Sequence, residues 1–273
     1  MKTSASLPDI NTLAIISAAI ILSFALTQLV SFPTQMLSFT LFGILLEFPL
    51  DFNTLITGLT ALLSAAGMDW LIQSHPQRKQ FGNRWVTVRH WILPVLTAIV
   101  IGVALNSFSG SPIWWIGFLL GSGILIAVFV AEYNVFASDH GTHPFARIGL
   151  TGLSFALYLL LSITLYAANI RLYLRLPLLG IGAVMVVSRT LFLQLGHWEF
   201  IWSLVISMVV TEFAVGFHYL PITALQFGLI QVGIGYGLTS VLTGIKESRK
   251  GIAFWGAPIF VLVILILISI FWG

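Results

Sequence analysis

The chain has 273 residues, 58% of them hydrophobic and 8% charged, with a formal net charge of +3 and a mean hydropathy of +1.03. A water-soluble domain carries roughly 25% charged residues, so this composition excludes a protein that covers itself with polar surface in water. With no cysteine, disulfides, thiolate metal centres, iron–sulfur clusters and cysteine nucleophiles are excluded as well.

The isoelectric point near 9.4 does not point to nucleic acid. The Lys and Arg residues are divided among short loops between apolar runs, the pattern that orients membrane helices. A helix needs about 20 apolar residues to cross a hydrocarbon layer of about 30 Å. In chain order, candidate runs are Leu13 to Phe32, Met36 to Leu50, Phe52 to Ile72, Trp91 to Phe108, Pro112 to Phe136, Ile148 to Ile170, Pro177 to Leu195, Phe200 to Tyr219, Pro221 to Gly244 and Phe254 to Trp272. The first is too long for the apolar core of a signal peptide and reads as a retained span. The second is short, contains Glu47 and ends at Pro49 beside Asp51, so it reads as a tilted short span or a re-entrant segment. The expected fold is therefore all-α: a polytopic transmembrane helix bundle of nine or ten spans, one transmembrane domain over residues 1–273, without a soluble domain.

Charge bias orients the bundle. Arg78, Lys79, Arg84 and Arg89 lie in one loop, Arg147 in another and Lys246, Arg249 and Lys250 in a third, all on one side; Arg171 and Arg175 stand on the other. The positive-inside rule puts the three basic loops in the cytoplasm and the C-terminus outside. The side of the N-terminus depends on whether residues 36–50 span. Tryptophans agree: Trp70, Trp85, Trp91, Trp198, Trp202 and Trp255 fall near cytoplasmic ends and Trp114, Trp115 and Trp272 near outer ends, where an amphipathic ring prefers to sit.

Within spans an ionised side chain costs about 2.5 to 3.5 kcal/mol on insertion scales. Arg189 and Glu212 are the deepest. Their runs are joined by a short turn around His197 to Glu199, and counting residues inward from each end brings them within reach, so they are expected to form a buried ion pair or a translocation site. Small residues at Gly117 and Gly121, and at Gly233 and Gly237 with Gly228, Gly235 and Gly244 nearby, predict close helix contacts. Gln194, Gln226, Gln231 and Asn169 are expected to bond between helices.

A second group of polar residues gathers at the cytoplasmic face: Asp69, His75, Arg89, His90, Glu132, Asp139, His140, His143, His197 and Glu199. Carboxylates at helix C-terminal ends oppose the macrodipole, so Asp69 and Glu132 should be held by a cation such as Arg89, His90 or Arg147. Asp139, His140 and His143 offer three metal-capable side chains in a five-residue loop, although the helical H-E-x-x-H spacing is missing, and solvated loop histidines fit the same residues. No Asp-rich diphosphate motif, G-x-S-x-G elbow, Walker A loop or intramembrane lysine occurs.

The segments Asp69-Trp-Leu-Ile-Gln-Ser-His-Pro76, His90-Trp-Ile-Leu-Pro94 and Ala131-Glu-Tyr133 resemble an uncharacterised family of bacterial polytopic membrane proteins. The resemblance implies a bacterial inner-membrane setting and a role for Asp69, His75, His90 and Glu132, but no activity. Three readings follow: a non-enzymatic accessory or scaffold protein of the cytoplasmic membrane, which the lack of motifs favours; a small transporter or channel using Arg189 and Glu212; and a lipid-modifying enzyme using the cytoplasmic-face histidines and carboxylates. Membrane lipids and a membrane-protein partner or second copy are the expected partners. Nucleic acid is not, and no cofactor is expected.

Overall fold

A computed structural model describes residues 8–30, 32–41, 44–75, 85–137, 144–248 and 250–272. Among them are nine helices and one hairpin: α1 Ile10–Leu29, β1 Gln35–Leu41, β2 Ile44–Leu50, α2 Phe52–Gln73, α3 Trp85–Ser107, α4 Ile113–Ala137, α5 Pro144–Ala167, α6 Leu172–Leu195, α7 Phe200–His218, α8 Ala224–Lys246 and α9 Ile252–Trp272. The helices α1 to α8 are long and apolar enough to cross a membrane. The chain divides into two compact units, Met1–Thr142 and His143–Gly273.

Polar side chains set the helix ends. The Asp9 carboxylate accepts from the Thr12 hydroxyl at 2.7 Å and from the Asn11 N–H at 3.3 Å, opening α1. These hydrogen bonds, Thr12 first, hold its carboxyl below the usual carboxylate range. Asp51 caps α2 through the Thr54 N–H at 2.7 Å. Thr223 and Gln226 form a reciprocal capping box at the start of α8. Gly196, at φ 77°, ends α6 in the left-handed conformation that glycine adopts without steric cost.

In the first unit α2 packs on α3, α3 on α4, and α1 on α2 and α4. Its core includes Ile20, Phe24, Met68, Leu71, Ile72, Ala98, Leu125 and Phe129. A Cβ on Gly67 or Gly102 would collide with Ile16 or Thr57 respectively, so these glycines let α1 and α3 approach α2 closely. In the second unit α8 touches α5, α6, α7 and α9, while α6 packs on α5 and α7. At Gly228 a Cβ would stand 2.8 Å from Ile163 Cγ1, and at Gly244 it would meet the Phe254 ring at 2.6 Å. Gly237 has nothing within 4 Å of that position and takes no part in such a contact.

Four buried hydroxyls are satisfied within their own helices: Ser64, Thr97, Ser154 and Ser162 donate to the carbonyl four residues back at 2.7 to 2.8 Å. This is the local solution open to Ser and Thr where water is absent. Between helices, Thr243 donates to Gln194 Oε1 at 2.6 Å, and the Gln231 amide bridges Val210 O and Ala214 N at 3.0 and 3.1 Å. Gln226 caps α8, and Asn169 turns the chain at φ 50°.

The segment expected as a tilted short span or a re-entrant segment is the antiparallel hairpin β1–β2, with Gln35 opposite Leu50 and Leu41 opposite Ile44. The reason lies in its period. Ser38, Thr40 and Glu47 alternate with apolar residues two apart, a pattern that suits a strand and not a helix, and Pro49 is tolerated better in an edge strand than in a helix interior.

Candidate functional site

His90 lies on the second turn of α3, and Glu132 near the end of α4. Both are buried, at 2% and 0% side-chain exposure, and His90 Nδ1 is 2.7 Å from Glu132 Oε2. On the other side of the imidazole, Arg89 Nε donates to His90 Nε2 at 3.0 Å. An arginine N–H only donates, so Nε2 must be the acceptor and Nδ1 must carry the proton given to the carboxylate. The result is a chain from guanidinium through neutral imidazole to carboxylate, in which the charges of Arg89 and Glu132 balance across one ring. Pro94, four residues after His90, has no N–H to close the helical bond to the His90 carbonyl.

His75 follows the C-cap of α2 and is 3% exposed. Its ring meets Tyr133 edge-on at 4.7 Å and Phe136 at 5.3 Å, and Phe136 meets His90 at 5.4 Å. Glu132, Tyr133 and Phe136 occupy one face of α4 at positions i, i+1 and i+4, a spacing from which this aromatic wall could have been read. Burial lowers the pKa of His75, favouring the neutral ring.

Glu132, expected to be held by a cation, is bonded by the neutral His90 ring, whose other nitrogen takes the Arg89 N–H. Asp69 takes a different partner, the Gln73 amide one turn along its own helix at 2.5 Å. In the second unit, Glu199 accepts from Lys246 at 2.7 Å, with the 61% exposed His197 at 3.6 Å. That bridge ties the start of α7 to the end of α8, where a lysine also complements the helix dipole. Asp139, His140 and His143 lie outside the described residues, as does the Arg147 side chain. Among the described residues no three His, Asp or Glu side chains gather as a metal-holding group.

The expected pairing of Arg189 with Glu212 is not formed. Arg189 is wholly buried on α6, whereas Glu212 is exposed on α7. The Ser207 hydroxyl donates to Gly180 O at 2.7 Å, and a Cβ on Gly180 would meet Thr211 at 3.3 Å. This register sets Glu212 near the level of Pro177, about 12 residues or on the order of 18 Å along α6 from Arg189. Counting inward from Pro177 misjudged the depth, because α6 starts at Leu172 with Pro177 inside it.

Glu212 instead lines a groove of about 570 Å³ between α6 and α7, with Pro177, Gly180, Ile181, Met185, Ser207, Met208, Thr211 and Val215. The Ser207 and Thr211 hydroxyls are spent on Gly180 O and Ser207 O. Glu212 makes no hydrogen bond or ion pair with the described residues, so one carboxylate stands in an otherwise apolar trough.

One polar cluster was missed in the sequence. Arg175, expected in a loop, is 2% exposed within α6; it bonds His218 Nδ1 at 2.9 Å and Ile170 O at 3.3 Å, and its guanidinium lies 4.9 Å from the centre of the Tyr166 ring. The available signal was that a proline within the first two turns need not begin a helix.

No curated protein matches the chain. No solved structure matches it either. A family model described as "Protein of unknown function (DUF5656)" matches residues 32–272, a span that includes the hairpin, the Arg89–His90–Glu132 chain and the Glu212 groove. The chain belongs to the DUF5656 family.

Proposed function

We propose that the protein is a multi-pass integral membrane protein of the bacterial cytoplasmic membrane and acts as a non-enzymatic accessory or scaffold, receiving a transmembrane segment of a partner protein in the α6–α7 groove. The observation that carries this reading is Glu212, an exposed carboxylate within the apolar helix α7, six residues before its end at His218, in an apolar trough. An ionised carboxylate facing hydrocarbon is costly. A partner helix bearing a lysine, arginine or histidine would remove that cost and fill the trough. Two further observations favour a scaffold. The His90–Glu132 pair is closed to solvent, which does not suit a lipid-modifying enzyme. Arg189 and Glu212 do not meet, which weakens a transport path built on them.

Eight basic residues in the Arg78–Arg89, Arg147 and Lys246–Lys250 segments, against Arg171 and Arg175 opposite, support cytoplasmic basic loops and an outer C-terminus. With residues 36–50 a hairpin, the same orientation puts the N-terminus in the cytoplasm.

Designed helical peptides test the groove. An all-leucine transmembrane peptide and the same peptide with one central lysine are mixed with labelled protein in vesicles, and association is read by energy transfer. The lysine peptide should bind wild type about tenfold better than the leucine peptide, the scale of an interhelical polar contact in lipid, and Glu212→Gln should abolish the difference. Equal discrimination by wild type and Glu212→Gln would overturn the reading.

A further inference from the structure

We infer that the β1–β2 hairpin is a membrane-surface element: it lies in the headgroup boundary of the leaflet where α1 ends and α2 begins, with one side against the acyl chains and the other in water. The inference rests on the membrane reading above and adds a lipid-binding surface to it.

The tethers set its height. Only residues 30–34 separate α1 from β1, and Asp51, directly after β2, caps α2. Because α1 and α2 pack on each other, both ends of the hairpin are held at one end of that helix pair. At its base the Phe32 and Phe52 rings meet edge-on at 5.2 Å. On the proposed orientation this is the outer leaflet.

The register sets its two sides. Leu37, Phe39, Leu41, Ile44, Leu46, Phe48 and Leu50 hold register positions on one side, with Gln35 at the open end; Ser38, Thr40 and Glu47 hold positions on the other, with Met36, Leu45 and Pro49. Among the described residues no helix packs a face on either strand, and Leu37, Met36 and Leu45 are 52%, 64% and 54% exposed. Seven-residue strands reach about 23 Å, long enough to present a continuous apolar strip.

Depth follows from the backbone. A two-stranded hairpin leaves the outer N–H and C=O groups of both strands unpaired, which the hydrocarbon core does not tolerate but the wet headgroup region does. Lying flat there buries the apolar side and leaves Ser38, Thr40 and Glu47 to water, as an interfacial amphipathic helix does with its two faces. Pro49 and Glu47 in β2 blunt that strand against addition of a further strand from a second copy.

The absence of cysteine makes the test direct. Single variants Leu37→Cys, Phe48→Cys, Ser38→Cys and Thr40→Cys, with Leu119→Cys on the 69% exposed face of α4 as reference, are spin-labelled and placed in phosphatidylethanolamine and phosphatidylglycerol vesicles. Collision with oxygen and with a water-soluble nickel chelate is then measured. Labels at 37 and 48 should favour oxygen severalfold over nickel relative to labels at 38 and 40. Leu37 and Ser38 are both exposed neighbours, so that pair alone decides the outcome if Phe48→Cys does not fold. If 119 is in lipid while all hairpin labels meet nickel equally, the hairpin stands in water and the inference fails. Hairpin labels shielded from both reagents would mean a protein cover, and dipolar broadening between labels would identify a second copy; either overturns it. If 119 itself meets nickel, the membrane reading fails instead.

Discussion

Glu132 Oε2 accepts from His90 Nδ1 at 2.7 Å, in a contact closed to solvent on both sides. Through this bond α4 is fastened to α3, and Arg89 on the far ring nitrogen supplies the positive charge that the carboxylate requires.

Breaking that contact from one side should be expensive. Glu132→Leu leaves a buried imidazole N–H without this acceptor and removes the balancing charge, at an expected cost of about 3 to 5 kcal/mol, whereas Arg89→Leu and His90→Phe together with Glu132→Leu should recover most of the loss. Unfolding in mixed detergent micelles checks both. A Glu132→Leu protein as stable as wild type would show that the pair contributes no net stability.

For Arg189 and Glu212 the structure predicts independence. Glu212→Leu removes a carboxylate without a described partner and should be neutral or stabilising, while Arg189→Leu disrupts a fully buried position and should be costly. In a double-mutant cycle the coupling should stay within about 0.5 kcal/mol, as expected for sites that share no contact. A larger coupling would restore the direct ion pair.

His75 gives the protein a predicted pH response. Burial depresses its folded-state pKa below the ordinary value of 6.5, so below that value the unfolded chain binds the proton more readily than the folded one. Its contribution is fully present above pH 6.5 and is lost as pH falls through the window toward the depressed folded value. Melting curves over that window should fall with acidity in wild type and fall less in His75→Gln. Parallel curves would remove His75 as the cause.

Topology is the most direct check on orientation. A reporter active only in the cytoplasm should work when fused at Lys79, at Arg249 or before Met1, and should fail after Gly273. Activity after Gly273 would reverse the orientation. Activity at Lys79 and Arg249 without activity at the N-terminus would mean that the hairpin segment crosses the membrane.

Much of this is legible in the amino-acid sequence. The apolar helices follow from runs near 20 residues, because hydropathy and length are properties of the chain alone. The need of Glu132 for a cation followed from a carboxylate at a helix C-terminal end.

What the sequence did not determine was which way each side chain faces and how the helices register. The same reasoning sent Asp69 to a cation, yet it bonds Gln73, because the rotation of α2 about its axis is set by packing on α1 and α3. Glu212 and Arg189 were brought together by counting from assumed helix ends; the Ser207 to Gly180 bond fixes the register of α6 and α7 and separates them. The period-two alternation in residues 35–50 is present in the sequence, in competition with a high apolar content. The observed pairing of β1 with β2 resolved the competition, since pairing decides whether a short apolar segment becomes strand or helix. Length, composition and charge placement thus determined the class of protein, and contacts between distant residues determined its site.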